Sequence, residues 1–234
     1  THFAIKTGIF VDDFILLIGS NISNDSKYPT ETTLFQNYVG DKTVNDDMAD
    51  VLGNIYYTDD KNVYVKTSEQ ISQSSTGSGE TKGRFKRCGI SHGVSPSHAS
   101  YEYSIGMKGA KKEDYEIIQQ DDIAHIVAIK GLVFMSIFKP NEFCGYKDVT
   151  GVDIPVLIMI DEKGDISICN PDLGLYDIDR DSYDENGVRR EVSLYSRKWI
   201  YNTIQSKSCN LTIADTDIKL ILLGGKTYKI ERNR

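Results

Sequence analysis

The 234-residue sequence contains no apolar run of eighteen residues, and its longest apolar stretches, FILLIG and VLIMI, are only strand-sized. Nothing in it therefore reads as a membrane-spanning helix. It also lacks an excess of positive charge: 27 basic against 34 acidic residues leave a net charge of -7. That balance argues against wrapping nucleic acid or a bilayer by bulk attraction, so any polyanion must be met by a local basic patch. Cysteine is sparse, with Cys88, Cys144, Cys169 and Cys209 far apart and no CxxC pair. This disfavours a zinc ribbon or a thioredoxin-type redox site, and the expectation is mostly free, buried thiols. The single tryptophan, Trp199, sits between Lys198 and Ile200 and reads as a core residue of a strand with polar flanks. No initiator methionine or signal peptide precedes the strand-like HFAIK, so the start is expected to be a cut or processed end of a longer protein.

What the chain does have is strand after strand. Residues 10–12 and 14–18 flank Asp12-Asp13, and residue 32 opens the next run, to 39. Residues 54–57 and 62–66 are joined by the turn TDDK, and Lys130-Gly131 makes a tight turn between 124–129 and 132–138. Residues 154–160 and 165–169 bracket DEKG, while Gly224-Gly225 between 218–222 and 227–230 is a strong hairpin signal. Two-residue periodicity throughout predicts an all-β, antiparallel β-sandwich architecture. The length suits one large β domain or two small ones.

Four stretches carry candidate chemistry. The segment CGISHGVSPSHASYEYSIGM, residues 88–107, reads as a hairpin with His92 and His98 at its tip. No cysteine or carboxylate stands at ligand spacing beside them, so no metal site is expected. The Ser- and Gly-rich SQSSTGSGETKG at 72–83 reads as a surface loop. Directly after it, Lys82, Arg84, Lys86 and Arg87 surround Phe85 as the only dense basic cluster. On a strand Arg84 and Lys86 share a face, and a sulfated or carboxylated polysaccharide suits such a pair as substrate-binding groups. The alternative is a solvated strand face that discourages edge pairing. Finally, Asp177, Asp179 and Asp181 alternate as in calcium loops, but Ser182 and Val188 stand where an EF-hand places Gly and Glu. A solvated acidic loop is preferred there over calcium.

The stretch HGVSPSHASYEYSI resembles the His-Gly, Pro, Ala-Ser-Tyr-x-Tyr signature in the large β-sandwich of polysaccharide lyase family eight, the chondroitin and hyaluronan lyases. Its nearest likeness is to the chondroitinase ABC branch. The opening KTGIFVDDFILLIGSNISNDSKYPTETTLFQN is similar to the family's succession of Lys, aromatic strand, Asp turn, Leu-Gly-Ser-x-Ile and Thr-Thr-Leu. ISICNPDLG resembles a strand-plus-Asp-Pro feature of the small domain, with Asn170-Pro171 in its place, and the acidic loop after it is longer than the resemblance leads one to expect. The resemblance implies that residues 1–112 are the C-terminal part of the large sandwich and 113–234 a smaller C-terminal sandwich, a division that the charged segment MKGAKKED also suggests.

It further implies an extracellular or periplasmic bacterial enzyme that cleaves chondroitin or dermatan sulfate, or hyaluronan, by β-elimination. Elimination needs the uronate carboxylate neutralised, a base for the C5 proton and an acid for the leaving oxygen. In the family those groups lie on a helical toroid and an earlier part of the sandwich, and none maps onto this sequence. Tyr101 and Tyr103 match a core motif. The chain alone is thus expected to be catalytically silent, its partners being the missing N-terminal catalytic part and, through the parent enzyme, a glycosaminoglycan. Two other classes remain open: a carbohydrate-binding β-sandwich module, whose mark would be an exposed row of aromatic side chains, and a structural jelly roll or adhesin.

Overall fold

The computed structural model describes residues 2–73, 79–172 and 206–232. Asp177, Asp179, Asp181 and Trp199 lie outside them. The chain divides into two compact units: residues 1–114 with Gln120–Asp122, and Tyr115–Gln119 with Ile123–Arg234. Strands make up nearly all the regular structure. Among the described residues the single helical turn is a 3₁₀ turn at Met107–Gly109.

Unit 1 is a sandwich of two antiparallel sheets. The first, ordered β1-β2-β7-β4, is built from β1 (His2–Val11), β2 (Phe14–Asn24), β7 (Ala99–Gly106) and β4 (Ile55–Tyr57). The second, ordered β3-β6-β5, is built from β3 (Pro29–Tyr38), β6 (Glu80–Val94) and β5 (Val63–Gln73). Side chains from both meet in one core: Ile22, Tyr56, Tyr101 and Tyr103 from the first sheet, Leu34, Phe35, Cys88 and Ile90 from the second. Ring contacts run through it, with Tyr56 stacked on Tyr103 at 6.3 Å and Tyr103 on Tyr101 at 5.8 Å. Offset stacking suits the ring quadrupole and adds to the area buried.

Unit 2 carries a six-stranded sheet, β16-β13-β12-β10-β9-β8, and a three-stranded one, β11-β14-β15. The six are β8 (Tyr115–Gln120, its last residue belonging to unit 1), β9 (Ala124–Ile129), β10 (Leu132–Ile137), β12 (Val156–Ile160), β13 (Ile166–Cys169) and β16 (Thr227–Ile230). The three are β11 (Val149–Val152), β14 (Ser206–Ile213) and β15 (Thr216–Leu223). The core between them is almost wholly aliphatic: Ile126, Met135, Ile158, Ile168, Leu211 and Leu222 are all buried in it.

Several turns behave as the sequence predicts. Asp12-Asp13 joins the paired β1 and β2. Lys130 and Gly131 both take positive φ, the requirement of the two-residue turn that matches strand twist, and join β9 to β10. In DEKG the Asp161 carboxylate accepts from the amides of Lys163 and Asp165, both at 2.9 Å, closing β12 onto β13.

Three other turns are not what the sequence predicts. The segment 88–107 is not a hairpin: β6 pairs with β3 and β5, and β7 with β2 and β4. Its turn carries the chain from one sheet to the facing one. His92 consequently lies within β6 rather than at a tip. The TDDK turn likewise separates β4 and β5 into different sheets, and Gly224-Gly225 separates β15, paired with β14, from β16, paired with β13. In each case the turn chemistry reverses the chain, but the exposed apolar faces decide which sheet receives the next strand.

Candidate functional site

Arg84 and Lys86 do share one face of β6, as alternate strand residues must. Cys88 and Ile90 continue that face into the core, so it is the inner face. Lys86 is accordingly buried, 4% exposed, and its ammonium is fully engaged. It lies 2.5 Å from an Asp47 carboxylate oxygen, donates to the Ala49 carbonyl at 3.0 Å and sits over the Phe35 ring at 5.5 Å. The hydrogen bond from Lys86 holds the Asp47 carboxyl below the ordinary carboxylate range. Arg84 lies beyond the end of the core, exposed, and donates to the carbonyls of Gly40 and Lys42 at 3.4 and 3.0 Å. It thus anchors the segment after β3 while keeping part of its guanidinium in solvent.

Of the other two basic residues, Arg87 faces outward, whereas Lys82 alternates with Arg84 on the inner side, beyond the core. Arg87 pairs with Glu31 at 3.2 Å and stacks 5.3 Å from the Tyr64 ring, whose hydroxyl donates to Glu31 at 2.9 Å. Burial, with that hydrogen bond, pushes the Tyr64 phenol up to about 12. A Cβ on Gly89 would stand 2.7 Å from the Tyr64 hydroxyl, so glycine there is what lets the ring lie flat on the sheet. Lys82 pairs with Glu80 at 3.3 Å with both side chains about half exposed.

The two histidines are structural. His92 Nε2 hydrogen-bonds the Thr32 hydroxyl at 2.8 Å, and burial lowers the ring's pKa below its ordinary value. His98 closes the turn, with positive φ and its amide donating to the Ser23 hydroxyl at 3.1 Å. Among the described residues no group of three His, Cys, Asp or Glu side chains could hold a metal ion. Cys88 and Cys209 are buried, Cys169 is half-buried and Cys144 is exposed.

Sequence reading alone missed a node where two motifs meet. Gly19 and Tyr101 are cross-strand partners in β2 and β7. A Cβ at Gly19 would penetrate the Tyr101 ring. Immediately beyond, the register shifts between Gly19 and Ile22, with Asn21 at positive φ. Such a bulge interrupts the ladder and leaves carbonyls to be satisfied otherwise. The Gln120 amide does so, donating to the carbonyls of Gly19 and Tyr101 at 3.0 and 2.8 Å. The Ser20 hydroxyl also donates to the Asp121 carbonyl at 2.6 Å. Tyr101 is 5% exposed and burial raises its phenol to about 12, so it stays protonated and serves packing, as the sequence motif implies.

Sequence relatives span most of the chain. The chain is 34% identical to a chondroitin sulfate ABC exolyase of Proteus vulgaris, over 90% of this chain and 24% of that protein. It is 31% identical to a chondroitin sulfate ABC exolyase of Bacteroides thetaiotaomicron, over 99% of this chain and 27% of that protein. The chain is homologous to the chondroitin sulfate ABC lyases. It spans about a quarter of the length of the curated relatives it matches. No protein-family model matches it. The fold agrees: a chondroitinase AC lyase structure superposes with a TM-score of 0.65 at 15% identity, over 98% of this chain and 36% of the other.

Proposed function

We propose that this lyase-related chain is the non-catalytic, C-terminal β-sandwich part of a glycosaminoglycan lyase. Its parent enzyme acts on chondroitin or dermatan sulfate, or hyaluronan, by β-elimination outside the cell or in the periplasm. The observation that carries this reading is the near-complete coverage of the chain by a quarter of each chondroitin sulfate ABC exolyase, joined to a geometry in which the polar side chains serve the fold. Lys86 is spent on Asp47 and Ala49, His92 on Thr32, and Tyr101 and Tyr103 on the core. None of these is placed as a base beside an acid, which β-elimination requires.

In this reading the chain supplies a rigid base for a catalytic part encoded upstream. Of the two cations expected to meet saccharide, Arg84 keeps that role, because its guanidinium is exposed, and Lys86 serves the sheet. The test is the coding sequence upstream of Thr1. Several hundred residues with a helical-hairpin pattern are expected there; an in-frame start immediately before Thr1, with no such segment, would overturn the proposal.

A further inference from the structure

The outer face of the β3-β6-β5 sheet carries features that the proposed supporting role does not explain. Cross-strand register places Gln36 and Tyr38 of β3, Gly83, Phe85 and Arg87 of β6, and Lys66, Ser68 and Gln70 of β5 on this one face. At one end Tyr38 and Phe85 meet edge to face, centroids 5.5 Å apart and planes at 68°. They form an aromatic corner instead of a flat pair. Gly83 makes that corner reachable, since a Cβ there would stand 2.9 Å from the Phe85 ring and 3.1 Å from the Tyr38 ring. Beside the corner the Gln36 amide donates to the Gln70 side-chain oxygen at 2.7 Å. The rings, the two amides and Ser72, Thr81 and Lys82 line a shallow groove of about 290 Å³, near the small end of ligand sites.

Three features of this face argue for an occupant and for its chemistry. Tyr38 is 65% exposed, although a solvated sheet face has no need of a large ring held in place over glycine. Apart from Ile71 at the groove, the face is otherwise polar, so a second apolar sheet is not the missing partner; amides and hydroxyls that both donate and accept match a polyhydroxylated ligand. Its outward cations, Lys66 and Arg87, outnumber Glu31, and Lys82 lines the groove, against the net charge of the whole chain. From Phe85 to Gly89 the strip is about 14 Å long, at the strand rise of ~3.4 Å per residue. That length suits a short oligosaccharide more than a single ring.

We propose that this face is an acidic-saccharide platform. The C–H face of a pyranose packs on the Tyr38–Phe85 corner, where the negative ring face attracts its weakly positive hydrogens. Gln36 and Gln70 exchange their mutual hydrogen bond for bonds to ring hydroxyls, and Lys66, Lys82 and Arg87 meet sulfate or carboxylate groups farther along. The chemical class rests on the proposed chondroitin-lyase reading; the location of the platform does not. It is a holding site that would retain a polymer while the catalytic part works.

The experiment is a nuclear magnetic resonance titration of the 234-residue chain with size-defined chondroitin sulfate oligosaccharides and, in parallel, a neutral oligosaccharide. Chondroitin oligosaccharide is expected to shift the Gln36 and Gln70 side-chain amides. Tyr38→Ala and Gln70→Ala, both at solvent-facing positions, are expected to weaken binding about tenfold each while leaving the melting temperature near that of the parent. Binding that survives both substitutions overturns the platform and leaves the lyase reading standing. No binding also overturns it. Binding of the neutral oligosaccharide alone, lost in the variants, overturns the acidic-saccharide assignment and tells against the chondroitin reading itself.

Discussion

The two units solve the same packing problem with different materials. Unit 2 buries Ile, Val and Leu between its sheets, so its core is set by shape and volume. Unit 1 buries rings and polar atoms: Tyr56, Tyr101 and Tyr103 stack, Lys86 reaches inward to Asp47, and a glutamine side chain completes a bulged ladder. An aliphatic core tolerates the loss of a methyl group, because neighbours partly collapse around it. A ring laid over glycine, or a buried cation held by fixed acceptors, has no substitute. Unit 1 is therefore the part of the molecule whose residues are constrained one by one, and it is also the part that presents glycine-floored rings to solvent.

The largest effect should come from Gly19→Ala. The added methyl group enters the Tyr101 ring and should cost about 3 kcal/mol or more, and calorimetry should show unit 1 unfolding first. Ile126→Val in unit 2, a one-methyl deletion, should cost about 1 kcal/mol. If the two changes prove equal, the contrast between the cores fails.

Next in size is Lys86. Lys86→Ala removes the cation from a buried position and leaves the Ala49 carbonyl without its donor, at a cost of about 2 kcal/mol; Asp47, more than half exposed, recovers water and so limits the loss. Lys86→Met keeps the stem packed on Phe35 and should recover about half of it. Denaturant melts of the pair measure this directly, and equal losses would show that the charge, not the packing, matters.

The smallest effect is in pH. Burial lowers the His92 pKa, so the unfolded chain binds the proton more readily. Unit 1 then keeps this contribution above His92's ordinary value of 6.5 and loses it as pH falls through 6.5 toward the folded pKa. His92→Gln should flatten that acid limb. The alkaline limb should be common to both units, because burial raises Cys88 in unit 1 and Cys209 in unit 2 alike, each to about 11 from 9.0. Stability from these thiols is present below pH 9 and eroded as pH rises toward 11.

Strands were legible in the sequence because period two is written in side chains that must be either in or out. Partners were not. Turn residues such as Gly224-Gly225 and the Ser95-Pro96 segment reverse the chain, but whether the returning strand stays in its sheet or crosses to the facing one depends on faces contributed by distant residues. The β14–β15 hairpin escaped for the opposite reason: its turn, Ala214-Asp215, has positive φ at both positions and no glycine to announce it.

Site geometry was less legible still. The basic cluster around Phe85 was visible, and alternation correctly put Arg84 and Lys86 on one face. Which face was inner could not be read, since the anion that holds Lys86 inside is 39 residues away. The aromatic corner is hidden for a similar reason, because Tyr38 and Phe85 are brought together only by the β3–β6 register. Gly19 and Tyr101, by contrast, both fall in the motifs that carried the resemblance, and their contact supplies a physical reason for those residue types.

The most direct measurement on the proposed role is a lyase assay of this chain alone, with chondroitin sulfate as substrate and the ultraviolet absorbance of unsaturated product followed over time. The chain is predicted to give a flat trace while remaining folded by circular dichroism; sustained formation of unsaturated product by the pure chain would contradict the account.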